Sequence, residues 1–349
     1  MNKRFLRGTF AAGLVAAACL PATRPARAQD AAAFYKGKSV TLLVGSTPGG
    51  GYDTYARLIQ RHMSKHMPGN PNVIVSNMPG AGSNVAANYI YNVAPKDGTF
   101  VGVLYGGAPL EPLIGQAPVQ HDPSKSQYIG SANNDVYVCV GRKDANVASF
   151  EDLFQKEFLV GAGNNSSTSD FPSVLNAALG TKFKLVLGYP GSREIGLAVD
   201  KNEVSGACGL AWPSVSVTNS GWFDGPNPTM RVLAQTHVRG HADLNARGVP
   251  NAMSFAKTDE QRAMLEFFFS QEVFGRPYVV APEVPKERVE ALRKGFWETL
   301  QDPELRADAK KANLEVDPVP GDEVAKLIAN AYAAPKDIVA RVKKALSAY

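Results

Sequence analysis

The sequence predicts an α/β protein of two lobes, each a mostly parallel sheet flanked by helices. Short apolar strands alternate with helical patterns in two successive series, which implies parallel sheets joined by right-handed crossovers. In each series the first strand runs into a polar loop carrying glycine, at the edge where open α/β sheets bind ligands. The chain's 349 residues, 44% hydrophobic with 32 glycines, are enough for about two cored domains.

Residues 1–28 have the grammar of a secretory signal peptide: Lys3, Arg4 and Arg7, an apolar run over 10–20, then Ala26-Arg27-Ala28 with small residues where a signal peptidase reads. A lipoprotein signal at Cys19 is the alternative, but Ala16-Ala17-Ala18 lacks the usual leucine three residues before the cysteine. No second apolar run approaches membrane-spanning length. Five of the 37 Lys and Arg, and none of the 32 Asp and Glu, fall in the signal, so the remainder is balanced and nothing global points to nucleic acid or an anionic membrane.

The first series opens on a strand at 40–44 that breaks at Gly45 and restarts as a helix near Asp53, with Leu58, Ile59 and Met63 on one face. Gly49, Gly50 and Gly51 lack a Cβ, so the backbone is free to take positive φ and approach a ligand, and the first unpaired N–H groups of the helix point into the same space. That geometry suits an anion. On the glycines alone an ordinary βα turn is equally open. The helix over 54–66 stops at Pro68-Gly69, and a strand at 72–76, a helix at 83–93 and a strand at 100–104 follow. Small-residue loops at 46–51, 77–83 and 106–108 leave the carboxyl ends of these strands.

A turn-rich segment at 130–135 and an apolar strand at 137–141 mark a crossing to the second lobe. There a strand at 158–160, a polar loop at 161–170, a helix at 171–179, a strand at 183–187, a turn at 189–191, a helix at 192–201 and a strand at 205–210 repeat the pattern. The strand at 231–235 is the return, and one at 275–281 precedes helices at 286–300, 303–312, 322–332 and 335–347, expected on the first lobe. The expected division is residues 1–28 signal, 29–135 with 236–349 as lobe one, and 136–235 as lobe two.

Cys139 and Cys208 each lie inside a strand-like run. In an exported protein they form one disulfide or two buried apolar thiols, and the residues leave both open. His62 and His66, like His237 and His241, are spaced i, i+4 without a neighbouring acid in sequence, so exposed histidine outweighs a metal site. Trp212, Trp222 and Phe223 near turns are candidates to wall a cleft, whereas 267–269 in a helical run read as core. An enzyme is the rival class, yet the chain holds no G-x-S-x-G, H-E-x-x-H or Walker sequence, and Gly161-Ala-Gly-Asn-Asn-Ser166 is one residue short of a dinucleotide fingerprint.

Thr47-Pro-Gly-Gly-Gly-Tyr-Asp53 with Ala56-Arg57, Asn77-Met-Pro-Gly-Ala-Gly82, Asp97-Gly-Thr99, Gly188-Tyr-Pro-Gly191 and Val280-Ala-Pro282 together resemble the Bug family, the TctC-like substrate-binding proteins of tripartite tricarboxylate transporters. The resemblance runs in order through essentially the whole chain after the signal. It implies a two-lobed type II periplasmic-binding-protein-like fold, and a periplasmic, monomeric receptor that captures a small carboxylate without turnover, metal or cofactor. It also implies delivery to large and small membrane transporter subunits, the alternative being a sensor that presents the carboxylate to a membrane histidine kinase.

Carried over residue by residue, the resemblance places ligand contacts at Ser46, Thr47, Gly49, Gly50 and Asp53 in lobe one and at Gly161, Asn164, Asn165, Ser166, Ser167 and Thr168 in lobe two, with Tyr189 and Gly191 lining the cleft. Hydroxyls, amides and helix-end N–H groups satisfy a carboxylate without a buried arginine. A carboxylate at Asp53 repels an anion, so its expected role is to accept loop or helix-start amides as an N-cap, or to meet a ligand ammonium or hydroxyl. The chain departs from the family at Ser83, Thr99 and Asn164-Asn165, where a glycine, an aromatic and a serine are usual. Arg193, just past the turn, is a solvent-facing residue or a partner for a second carboxylate.

Overall fold

The computed structural model describes Met1 and residues 26–115, 119–164 and 166–347, so most of the expected signal and Asn165 lie outside the described residues. No helix among the described residues is long and apolar enough to cross a membrane. After α1 (Ala26–Tyr35), the elements β1 (Ser39–Val44), α2 (Gly51–Met63), β2 (Asn72–Asn77), α3 (Asn84–Asn92) and β3 (Phe100–Val103) form the first βαβαβ unit, with β1 parallel to β2 on one side and β3 on the other. From Val40 to Val44 every residue of β1 is buried, as a continuous apolar run demands of a central parallel strand. Then come α4 (Glu111–Ile114) and β4 (Gln127–Ser131). This last strand was not expected, because its glycine and serine run into the turn-forming segment that follows; buried Tyr128 and Ile129 nevertheless pair it into the sheet.

The second sheet takes β5 (Tyr137–Arg142), β6 (Phe158–Gly161), α5 (Ser167–Leu179), β7 (Phe183–Val186), α6 (Ser192–Asp200), β8 (Gly206–Ala211), α7 (Trp212–Thr218) and β9 (Met230–Thr236), in strand order β7-β6-β8-β5-β9. The chain continues through α8 (Ala242–Ala246), α9 (Asp259–Val273), β10 (Pro277–Val280), α10 (Lys286–Gln301), α11 (Pro303–Lys311), β11 (Val319–Pro320), α12 (Gly321–Tyr332) and α13 (Lys336–Leu346). The first sheet has the order β11-β4-β10-β3-β1-β2. Each sheet holds an antiparallel inner strand where the chain arrives from the other: β10 between β3 and β4, and β5 between β8 and β9.

Of the closing helices, α10 and α11 bury Leu292, Phe296, Leu300 and Leu305 against Leu42, Leu58 and Ile59, and α12 buries Val324 and Ile328 against Leu43 and Ile90. Helix α13 departs from expectation. Its stripe of Ile338, Val342 and Ala345, spaced to share one helical face, packs with Phe171, Val174 and Leu175 of α5 and with the Phe267–Phe269 run of α9, in the core of the second sheet.

Cys139 and Cys208, register partners on β5 and β8, are joined by a disulfide, which decides between the two alternatives. Trp212 and Trp222 are core rather than cleft walls: both are buried among Val138, Leu210 and Met230, with their indole N–H groups donated to Asp243 and Asp200. Folding supplies the acids that sequence spacing did not show beside the first histidine pair. Asp308 lies 3.2 Å from His62 and Asp302 lies 2.8 Å from His66, while the Lys65 ammonium sits 2.6 Å from both Asp302 and Glu304. The lysine and His66 hold the Asp302 carboxyl well below the usual carboxylate range, and the cluster ties α11 to α2.

Candidate functional site

The loop between β1 and α2 forms a tight turn in which the Gly50 amide donates to Thr47 O. Of its three glycines only Gly49 is left-handed, at φ +79°. Gly50, the residue capping α2, is extended at φ −74° and ψ 167°, so positive φ is needed at one position rather than along the run. Helix geometry leaves the amides of Gly51, Tyr52 and Asp53 without an intrahelical acceptor, and none has an acceptor among the described residues. Ser46 Oγ is buried beside them, also without a partner. Thr47 is exposed.

Asp53, 1% exposed, holds this turn. Its Oδ2 accepts the Gly49 amide and Arg57 Nε, each at 2.8 Å, and its Oδ1 accepts Asn77 Nδ2 at 2.9 Å. Burial pushes the carboxyl up, but the hydrogen bonds from Arg57, Gly49 and Asn77 outweigh it and hold Asp53 below its ordinary value. The side chain therefore acts from the third position of the helix rather than from the cap, and both oxygens are engaged. Asn77 Nδ2 also donates to Ser46 O at 3.0 Å. Neither Asn77 nor Arg57 was among the expected site residues; register was the missing signal, since β1 and β2 in parallel place Asn77 opposite Val44.

Ser83 shows why glycine is usual at its position. It is left-handed at φ +74°, and its Oγ donates to Gly45 O and accepts the Tyr105 amide, both at 3.1 Å. Behind the turn lies Arg276, which sequence reasoning placed only within a strand. Its buried guanidinium rests on the Tyr55 and Tyr52 rings, at 4.2 and 4.9 Å, and reaches Asp135 Oδ1 at 3.4 Å. Burial works against the charge, and Asp135 together with Tyr55, Tyr52 and Tyr137 more than offsets it, so the group stays protonated. Tyr52 Oη donates to Gly275 O and its ring meets that of Tyr105, closing the turn against the β3 loop. A groove of about 400 Å³ runs outside, lined by Pro48, Gly49, Asp53, Arg57 and Leu314.

In the second lobe α5 begins at Ser167, earlier than the loop-rich composition suggested, because Ser166 and Ser169 form a reciprocal capping box. Ser166 Oγ also contacts Gly163 O at 3.1 Å and Thr168 Oγ1 at 2.8 Å, and Thr168 Oγ1 accepts the Gly163 amide at 2.9 Å. These hydroxyls shape the loop, while Ser167 and Thr168 stand in the first helical turn. Gly161 packs against Ile195 and Tyr189, the Tyr189 amide donates to Ala162 O, and Gly191 caps α6 in extended backbone. Asn164 and Arg193 are exposed, and Asn165 lies outside the described residues. The expected residues thus gather as two separate sets, one per sheet, with no hydrogen bond or ion pair joining them among the described residues.

No family model matches the chain. A UPF0065 protein from the TAR-I ttuE-ttuC' intergenic region of Agrobacterium vitis is 32% identical over 197 residues, 53% of this chain, and the match spans about half (52%) of that relative's length. Among solved structures, a TctC solute-binding protein from Polaromonas aligns with a TM-score of 0.66 and 20% identity over 88% of this chain and 99% of that one. The periplasmic binding protein BugD aligns at 0.60 and 17% over 89% and 98%, and MatC from Rhodopseudomonas palustris, with bound malate, at 0.58 and 18% over 89% and 99%. The resemblance read from the loops is thus matched in three dimensions, and the chain has the two-lobed fold of these proteins.

Proposed function

We propose that this chain, sharing its fold with TctC- and Bug-type solute-binding proteins, is an extracytoplasmic receptor that captures a small carboxylate between its lobes and hands it to a membrane transporter. The carrying observation is the start of α2, where the amides of Gly51, Tyr52 and Asp53 lack acceptors beside the unpartnered Ser46 hydroxyl. A carboxylate there gains several backbone hydrogen bonds and the favourable end of the helix dipole. Asp53 and Asn77 keep the turn in that shape. The second-lobe set, Gly161, Asn164, Asn165, Ser166, Ser167 and Thr168 with Tyr189 and Gly191, closes over the ligand.

In this reading residues 1–28 are removed on export, the disulfide suits an oxidising compartment, and the protein binds without turnover, as a monomer serving the large and small subunits of a tripartite transporter. The test is a thermal-shift screen of residues 29–349 against mono-, di- and tricarboxylates, malate and adipate included. A raised melting temperature with at least one carboxylate, and no product after incubation, is the expected result; no shift with any of them, or steady product formation, contradicts the reading.

A further inference from the structure

Arg276 precedes β10 at the end of the first sheet that carries the glycine turn, and its bonding is incomplete. The side chain is 6% exposed, yet Nε and Nη1 have no acceptor among the described residues, and its one carboxylate, Asp135, is at 3.4 Å, long for a guanidinium ion pair. Donors buried in this way call for an acceptor. The guanidinium lies against the turn: a Cβ on Gly51 would sit 3.4 Å from Nη1, at contact distance, so the charge stands beside the first residue of α2. From the other side Ser46 Oγ, itself unpartnered, lies 3.9 Å from where a Cβ on Gly50 would sit. A cation under a helix N-terminus faces a like partial charge, an arrangement that improves when an anion binds.

We propose that Arg276 is the buried positive charge beneath the anion site at the start of α2, making that site choose a carboxylate over its neutral amide by the field of the guanidinium. The inference rests on the receptor reading above and adds the residue that sets charge selectivity. Asp135 opposes it, since its carboxylate neutralises part of the same charge.

Calorimetric titration with malate against malamide, and adipate against adipamide, tests this in wild type, in Asp135→Asn, and in the double variant Arg276→Met with Asp135→Asn. The double variant removes both charges, so no unpaired carboxylate stays buried. The expected result is about tenfold weaker acid binding and a reduced acid-over-amide preference in the double variant, with about threefold tighter acid binding in Asp135→Asn. A purely structural Arg276 weakens acid and amide alike in both variants. An unchanged acid preference in the double variant, or weaker acid binding in Asp135→Asn, overturns this inference alone. A wild type that binds no carboxylate overturns the receptor reading and this inference with it.

Discussion

The Gly49 amide donates to Asp53 Oδ2 at 2.8 Å, so a side chain inside α2 reaches back to the one left-handed glycine of the turn before it. The helix in this way sets the shape of its own entry loop, and the loop's free amides follow from that shape.

Asp53→Asn turns one acceptor oxygen into a donor facing N–H groups, and it is expected to lower unfolding stability by about 2 kcal/mol at pH 7. Because the folded carboxyl is held below its ordinary value, the stabilisation is full above the unfolded value near 3.9 and is lost as pH falls through the folded one. Urea unfolding of wild type and variant should therefore diverge at pH 7 and converge toward pH 3. An equal difference at both pH values contradicts this role.

Periodicity and apolar runs made most of this fold legible, and the glycine turn marked the first of the two residue sets proposed as the site. What escaped required pairing across distance. β4 hides in turn-forming residues and is held by β10 and β11, far along the chain. The capping box at Ser166 and Ser169 moves the start of α5 into a stretch whose serines and threonine favour loop as readily as helix. Asn77 and Arg276 are brought to the turn by strand register and by packing under Tyr52 and Tyr55, which no local pattern records. The histidine spacing was visible, but the acids that answer it arrive from α11.

The disulfide between Cys139 and Cys208 spans 69 residues of sequence, and closing a loop of that size restrains the unfolded chain by about 4 kcal/mol in the chain-entropy model. A protein of residues 29–349, unfolded without reductant, should show no free thiol. Replacing both cysteines by serine should lower stability by about 2–4 kcal/mol. Two titratable thiols in the unreduced protein contradict the pairing.

Asp170, in the first turns of α5, has its carboxyl pushed up to about 7 by burial, with the Glu111 charge adding to the effect and the Ser169 hydroxyl opposing it. Its folded value lies above the unfolded one, so the folded state loses stability as pH rises toward 7 and recovers none beyond. Asp170→Asn is therefore expected to stabilise the protein by about 1–3 kcal/mol at pH 8 and to make no difference near pH 3. Thermal melts across that range check it, and a variant less stable than wild type at pH 8 contradicts the sign.

Binding of a carboxylate at the start of α2 is tested by Gly50→Val. At φ −74° the position accepts valine without backbone strain. A Cβ there would stand 3.4 Å from Thr47 O and its methyls would cover the free amides, whereas Thr47→Ala leaves them open. At about a hundred times its dissociation constant, the carboxylate with the largest shift in the screen should stabilise wild type by about 2.7 kcal/mol, or roughly 5 to 10 °C. Gly50→Val is expected to melt cooperatively and show no such shift while Thr47→Ala keeps most of it; a folded Gly50→Val with the full ligand-dependent shift rules out binding at this turn.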